Sequence, residues 1–427
     1  MTPLLLPLLL AAAPEAARVP FAQSGFAPDG RGFTTQAPRA EIAPRAFVAE
    51  APNRGEPGAL ALAGDGRAAA TGGWERRLDG VVTGRWYRLT ADYRAEGLAH
   101  ENWQVLARLD WRDKDGARAG QPEYAWHAAA DGGWQRLTAE APAPEGAVGV
   151  VVQLQLREGG AGTVYWDDVR VEEVARPSPR RVTVAAVNLR PRGTKDAAAS
   201  VRAWVEAAEA GVPAGSDVIV LSEGIPMVGT GRSYVDVSET VPGPTTAALG
   251  ELARRKHAWV VAGLYERDGG TVYNTAVLID RTGAVAGKYR KVYLPREEVE
   301  GGLTAGSAYP VFRTDFGTVG LMICWDTQFT DPARALTLAG AELLLVPIAG
   351  GNETLVHARA IENRVFVATS GYDYPTEVID PDGTSLARSL TDGAVAVATI
   401  DLARRYTDPW IGDMRGRLRR EVRTDVR

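Results

Sequence analysis

The chain changes texture once, at Ala175–Arg181 (ARPSPRR), and this break constrains the fold more than any other feature of the sequence. Pro and Arg crowd a short linker there, the composition of a boundary that few contacts cross. Before it, from about residue 21 to 176, alternating segments such as WYRLTADYRA, WQRLTAEAP, VGVVVQLQL and TVYWDDVRVEEV are separated by Gly, Asp and Pro turns. Strands at that spacing predict two packed sheets, an all-β jelly-roll sandwich. After it, VTVAAVNL and DVIVLSEG read as buried strands on either side of an amphipathic helix at Ala197–Gly211, so the second domain alternates strand and helix. Two hairpins with Gly in the turn, TVYNTAVLIDRTGAVAGKYRKV and TEVIDPDGTSLARS, interrupt that rhythm and require a mixed sheet.

A length of 427 residues fits two such domains. Apolar residues at 45% and charged residues at 24% belong to a globular chain, and a net charge of -5 gives no reason to expect nucleic acid. One cysteine excludes an intramolecular disulfide, and His100, His127, His257 and His357 lack the paired spacing of a zinc site, so neither a structural metal nor a cofactor is expected. The N-terminal MTPLLLPLLLAAAPEAA combines an apolar run with small residues, the pattern of an export signal over residues 1–20. It is too short to span a bilayer, and no other stretch approaches the length of a membrane helix. The remaining boundaries are 21–176 for the sandwich, 177–181 for the linker, 182–410 for the second domain and 411–427 for a basic C-terminal tail.

Seven of the eleven tryptophans (Trp74, Trp86, Trp103, Trp111, Trp126, Trp134, Trp166) lie before the linker. Most should fill the sandwich core; Trp126, beside Tyr124 and His127 in a less regular segment, is the best candidate for an exposed platform. Asp167 and Asp168 have the chemistry to ligate calcium, although adjacent acids on a strand more often serve turns. The closing strand TVYWDDVRVEEV and the run YRLTADYRAEG resemble the galactose-binding-like sandwich of carbohydrate-binding modules, which would imply a glycan or cell-surface ligand.

Three segments after the linker each place one reactive residue at or near a strand end: Glu223 in VIVLSEG, Lys291 in KYRKVYLP and Cys324 in LMICWD. A lone cysteine after an apolar strand is ordinarily core, since free Cys is among the most buried residue types. Here, however, Val319–Ile323 runs straight into the thiol, and Thr330, Asp331 and Pro332 follow as an N-cap with proline in the first helical turn, leaving Cys324 in a sharp strand-to-helix turn. Backbone N–H groups cluster at such a turn and favour a thiolate or an oxyanion. An acid at the end of an apolar strand is desolvated, which raises its pKa and suits it to act as a base. A lysine supplies positive charge where an oxyanion forms.

The set LSEG, YRKVYLP, GLMICWD with DPARALTLAGAELLLVP, and ARAIENRVFVATSG resembles the carbon-nitrogen hydrolases of the nitrilase superfamily over residues 182–410. That resemblance implies an α/β fold, an αββα sandwich with mixed sheets that assembles as a homodimer or higher homo-oligomer. It also implies Glu223 as general base and acid, Lys291 as oxyanion stabiliser and Cys324 as nucleophile. A second glutamate that orients the lysine is usual in the family; PREEVEGGLTAG offers Glu297, Glu298 and Glu300, of which Glu298 is favoured. Two positions depart from the pattern: Ser222 stands where proline usually precedes the base, and Tyr293 where histidine usually follows the lysine. Trp325 and Tyr293 are expected as pocket walls, with the Trp325 N–H on the oxyanion, while His357, Glu362 and Asn363 are expected to be structural.

The expected activity is thiol hydrolysis of a non-peptide carbon–nitrogen bond in a small linear amide or N-carbamoyl amine, through a cysteine thioester. Nitrile hydrolysis or acyl transfer by the same groups is the nearest alternative. A glycan-binding protein with a hydrolase-like scaffold is the reading from a different class, and the intact acid, lysine and cysteine argue against it. A papain-like protease would need a histidine partner in another architecture.

Overall fold

The computed structural model describes residues 17–423, 425 and 426. Residues 1–16, which hold the apolar run expected as an export signal, lie outside that set. The described residues form two compact units, one made of the chain up to Pro177 together with Thr407 onward, the other of Ser178–Tyr406. Among the described residues no helix is long and apolar enough to cross a membrane.

The main strands of the first unit are β1 (Thr34–Gln36), β2 (Ala59–Ala63), β3 (Gly72–Asp79), β4 (Trp86–Glu96), β5 (Val105–Arg112), β6 (Glu123–Tyr124), β7 (Trp134–Pro142), β8 (Gly149–Leu156) and β9 (Thr163–Val174). One sheet runs β3-β8-β5-β6, with β1 on the outer edge of β3; the other runs β7-β4-β9-β2. Strand alternation sends Trp74, Leu109 and Leu154 from the first and Leu89, Leu137 and Trp166 from the second into one shared core. Trp103, Trp111 and Trp134 are buried as well. Asp167 and Asp168 sit at a bulge of β9, where Asp168 adopts φ 45°. The Asp167 carboxylate accepts the N–H groups of Gly25, Arg54 and Asp168, and Asp168 pairs with Arg136 and Arg170. Both acids are thus engaged in holding the bulge rather than presented to a cation.

In the second unit the chain alternates as its apolar runs required: β10 (Arg181–Val187), α1 (Ala197–Gly211), β11 (Val218–Val220), α2 (Pro244–Lys256), β12 (Trp259–Asp268), β13 (Thr271–Ile279), β14 (Val285–Arg290), α3 (Arg296–Glu300), β15 (Val311–Arg313), β16 (Thr318–Leu321), α4 (Asp331–Leu338), β17 (Leu343–Pro347), α5 (Glu353–Asn363), β18 (Phe366–Ser370), β19 (Thr376–Ile379), β20 (Ser385–Ser389) and β21 (Val395–Asp401). One sheet has the order β14-β13-β12-β11-β10-β21 and the other β15-β16-β17-β18-β19-β20. Each is mixed: β10, β11 and β12 run parallel, as do β16, β17 and β18, while the flanking hairpins are antiparallel. In the β13–β14 hairpin, Asp280 accepts the N–H groups of Thr282 and Ala284, and Gly283 takes φ 84°, a conformation that favours glycine.

The inner faces of the two sheets share a core containing Val184, Val220, Val261, Leu321, Leu345 and Phe366. α1 and α2 cover the outside of one sheet through Trp204, Leu249 and Leu252, and α4 and α5 cover the other through Leu336, Val356 and Ala360. Four layers result, helix, sheet, sheet, helix, with the parallel strands central and buried on both faces.

The segment expected as a basic tail folds instead. Its helix α6 (Met414–Glu421) belongs to the first unit, where Arg419 lies 4.6 Å over the Trp126 ring and Arg420 donates to the Ala125 carbonyl. Trp126 therefore serves as a packing surface for α6. Gly416 makes this possible, because a Cβ there would lie 2.7 Å from the indole.

Candidate active site

Each of the three reactive residues follows the end of a short strand. β11 ends at Val220, and Leu221 and Ser222 lead into Glu223, which is buried. The neighbouring strand crosses so closely that a Cβ on Gly263 of β12 would lie 2.7 Å from the Glu223 Cα, so glycine is needed there. Lys291 follows β14 and is only 1% exposed. Cys324 opens a 3₁₀ turn, Cys324–Gln328, that separates β16 from α4. Its φ of 40° places a non-glycine residue in the left-handed region, the backbone signature of a sharp elbow.

Five side chains meet here. Lys291 Nζ lies 2.9 Å from Glu223 Oε1 and 2.8 Å from Glu298 Oε1. Asn274 Nδ2 donates to the same two oxygens, at 2.7 and 2.9 Å. The second Glu223 oxygen accepts the Ala349 N–H at 3.1 Å, and the carbonyl of the next residue, Gly350, accepts Cys324 Sγ at 3.2 Å. Of the three glutamates offered by the sequence, Glu298 is buried against Lys291, whereas Glu297 and Glu300 are exposed beside Arg296.

Burial alone would raise the Glu223 carboxyl, as the sequence suggested, but the charge of Lys291 and the hydrogen bonds from Lys291 and Asn274 outweigh it and leave Glu223 below its ordinary value. Glu298 goes the other way: burial, reinforced by the Glu223 charge and only partly offset by Lys291, pushes it up to about 7. Burial works against the Lys291 ammonium, yet Glu223, Cys324 and Glu298 together hold it above the usual lysine value. The Cys324 thiol is pushed up to about 12, by burial first and then by the Glu223 charge. The resting arrangement is a neutral thiol beside a carboxylate and an ammonium.

Sequence reading missed several groups that build this site. Asn274 sits within a strand whose alternation marked it only as one polar residue among apolar ones. Asp326 is fully buried and accepts from Ile323 N at 2.9 Å, Tyr293 N at 3.0 Å and Tyr289 OH at 2.8 Å, tying the Cys324 turn to the segment that carries Lys291. Burial pushes its carboxyl up to about 6. Its signal was present in CWD, as an acid two positions after the thiol. Tyr234, Tyr265 and Tyr372 lie within reach of the Glu223 charge, which together with burial keeps their hydroxyls protonated.

The two expected wall residues occupy different settings. Trp325 is 40% exposed directly after Cys324, where the first N–H groups of a helical turn have no partner within the turn. Tyr293 stacks on Phe329, with ring centroids 3.8 Å apart, and donates its hydroxyl to Asp331 at 2.7 Å, so its ring braces the start of α4. On α5, His357 bonds the Gly383 carbonyl and Glu377, Glu362 pairs with Arg359, and Asn363 donates to the Arg359 carbonyl. Arg359 in turn donates to the Thr327 carbonyl at 3.0 Å and holds the Cys324–Gln328 turn from behind.

A family model described as carbon-nitrogen hydrolase matches residues 183–409. The chain is 30% identical over 198 residues to the omega-amidase NIT2 of Homo sapiens, a match covering 40% of this chain and 71% of that protein. It is 32% identical over 211 residues to a nitrilase of Pyrococcus abyssi, covering 44% of this chain and 78% of the other. Among solved structures, a mutant amidase from Nesterenkonia sp. AN1 with an acetamide moiety at its active-site cysteine shares 23% identity and a TM-score of 0.47, over 54% of this chain and 94% of that one.

Proposed function

From membership of the carbon-nitrogen hydrolase family, to which this chain belongs through residues 183–409, we propose that it is a thiol hydrolase cleaving the carbon–nitrogen bond of a small linear amide or N-carbamoyl amine. The observation that carries the reading is the position of the Lys291 ammonium, buried between Glu223 and Glu298 and beside the thiol of Cys324. An acid, a fixed positive charge and a nucleophile converge with their charge states already set.

Those states dictate the order of events. A thiol held near 12 beside a carboxylate held low does not ionise at rest. Proton transfer to Glu223 therefore accompanies attack of Sγ on the substrate carbonyl carbon, which is general-base catalysis. Negative charge developing on the carbonyl oxygen is met by Lys291 and the Trp325 N–H. Glu223, now protonated, delivers that proton to the departing amine as the carbon–nitrogen bond breaks, leaving a thioester on Cys324. Water then gives its proton to the Glu223 carboxylate and attacks the thioester, releasing the acid and restoring the thiol.

Intact-mass measurement during turnover of a small amide tests this. The expected result is an adduct of the acyl mass that maps to Cys324 and disappears as substrate is exhausted. Turnover with the adduct on another residue, or turnover by Cys324→Ala, overturns the assignment.

A further inference from the structure

Tyr372 follows β18 by way of Gly371, in a short loop that returns into β19. Hydrogen bonds hold this loop in place. The Gly371 N–H donates to Thr376 Oγ1 at 2.9 Å across its neck, and a Cβ on Gly371 would lie 2.4 Å from the Tyr374 carbonyl oxygen, so glycine is required there. Buried Asn188 donates to the Tyr374 carbonyl at 3.3 Å and to Thr376 Oγ1 at 3.1 Å. The Asp373 N–H donates to the Ala349 carbonyl at 3.0 Å. Ala349 is the residue whose own N–H meets Glu223, and the carbonyl of Gly350 beside it meets Cys324. One backbone segment therefore holds the carboxylate, the thiol and the Tyr372 loop. The Tyr372 ring packs against the apolar cluster containing Leu221 and Ile225, which flank Glu223 in the chain.

The Tyr372 hydroxyl has no hydrogen-bond partner among the described residues. Nearby tyrosines are engaged: Tyr289 donates to Asp326 and Tyr293 to Asp331. The Tyr374 hydroxyl, Glu298 Oε2 and Asn274 Oδ1 also lack partners, but all three atoms are enclosed. Tyr372 is only half-buried and its hydroxyl is not enclosed, so it is a polar group that an entering substrate can reach. The charges around it fix which part of the substrate it meets. Glu223 and then Cys324 act on Tyr372, whereas Glu298, Glu223 and Lys291 act on Tyr234. Tyr234 thus borders the lysine, and Tyr372 borders the carboxylate and the thiol. Burial and these charges keep Tyr372 protonated. Its O–H dipole turns toward the carboxylate, which leaves the oxygen lone pairs facing the space beside Glu223 and Cys324.

In a tetrahedral intermediate on Cys324 that space holds the nitrogen. When the carbon–nitrogen bond breaks, its electron pair leaves with nitrogen, the carbonyl of the thioester re-forms, and the proton on Glu223 passes to the nitrogen lone pair. That lone pair must face Glu223, so an N–H of the same nitrogen has to face a different acceptor. We infer that Tyr372 is a further catalytic residue, whose phenol oxygen accepts the N–H of the scissile bond and so turns the nitrogen lone pair toward Glu223. Amides gain from this contact and the matching esters do not. The inference rests on the hydrolytic reading above and adds to it a residue and a basis for selecting nitrogen over oxygen as the leaving atom.

Single-turnover acylation of Cys324 by butyramide and by methyl butyrate, followed by intact mass in the full chain and in Tyr372→Phe, tests it. Both substrates give the same butyryl thioester, and only the amide carries an N–H. Tyr372→Phe should be acylated about tenfold more slowly by the amide, the scale of one hydrogen bond. Its acylation by the ester and the decay of the adduct, steps without nitrogen, should stay within about twofold of the original rates. Those retained rates, with an unchanged melting temperature, show that the variant is folded. Slowing of all three steps alike overturns the inference, because it would place Tyr372 on the thiol or the oxyanion. Unchanged acylation by the amide overturns it as well. If neither substrate acylates Cys324 in the original chain, the hydrolytic reading itself falls, and the assignment of Tyr372 falls with it.

Discussion

Ser222 Oγ donates a 2.6 Å hydrogen bond to the carbonyl of Ile348, both residues being fully buried. The bond fixes the segment after β17 in which the Ala349 N–H meets Glu223 and the Gly350 carbonyl meets Cys324. A position that departs from the family's usual proline thus ties Glu223 and Cys324 to one backbone segment. In Ser222→Ala the Ile348 carbonyl loses this donor in a dry site, at a cost of about 1–3 kcal/mol. The expected outcome is a lower melting temperature together with a kcat reduced roughly tenfold and a KM little changed, since misplacement of the reacting groups affects the chemical step. A loss of stability with kcat intact would show that the bond serves folding alone.

Lys291→Ala should lower the single-turnover rate of acylation by roughly a thousandfold, the scale of removing a donor to an oxyanion. Asn274→Ala should have a smaller effect of a distinct kind. Asn274 touches both carboxylates but is not assigned to substrate, so its removal should leave KM near its original value and shift the pH profile by letting Glu223 and Glu298 move apart. An Asn274→Ala profile that overlays the original would reduce Asn274 to packing.

The pH dependence follows from Glu298. One ammonium faces two carboxyl groups, and the structure holds Glu298 near 7 and Glu223 low. The kcat/KM profile should therefore contain an ionisation of the cluster near neutrality that Glu298→Gln removes. For stability the sign is that of a raised acid: folding favours protonated Glu298, so its contribution is fully present below the ordinary glutamate range and is lost as pH rises through about 7. Melting temperature measured between pH 5 and 9 should fall less steeply in Glu298→Gln than in the original chain. Equal slopes would assign the titration elsewhere.

Cys324 holds a left-handed backbone conformation, φ 40°, that only glycine adopts without cost. Cys324→Ala and Cys324→Gly should both be inactive, yet the glycine variant should be the more stable, by about 1 kcal/mol after allowance for its greater freedom when unfolded. Chemical denaturation of the two reads the difference directly. A more stable alanine variant would mean that the elbow relaxes once the sulfur is gone.

What could be read from the sequence, and what could not, has a physical pattern. Residues whose role follows from a strand end were visible: VIVLSEG and LMICWD each run out of apolar residues where a polar group must sit. Asn274 and Asp326 were not, because a buried polar residue within a strand or turn looks like any other polar residue until its partners are known. The direction of the Glu223 shift was misjudged for the same reason, since desolvation is legible from an apolar strand and the opposing Lys291 charge is not. α6 escaped notice because RGRLRRE has almost no apolar face; its burial comes from Gly416 and Arg420 against Ala125 and Trp126, contacts that no periodicity announces.

The return of the chain to the first unit alters how separability must be tested. The second unit has its own cores, built by β10–β21 and α1, α2, α4 and α5, and every proposed reacting group lies within Ser178–Tyr406. A fragment cut only at the linker would keep Thr407 onward without the Trp126 and Ala125 surface on which α6 packs, leaving the arginines of that helix without their partners. The fragment Ser178–Tyr406 should therefore be more soluble than one running from Ser178 to the C-terminus, and it should hydrolyse a small amide at a rate within about threefold of the full chain. Conversely, residues 17–177 alone should unfold at a lower temperature than the full chain, since removing α6 uncovers Trp126 and Ala125. Comparing solubility, melting temperature and small-amide turnover for the three fragments and the full chain decides the matter. If Ser178–Tyr406 folds but has lost turnover, the first unit contributes to catalysis itself, and the functional independence of the second unit fails.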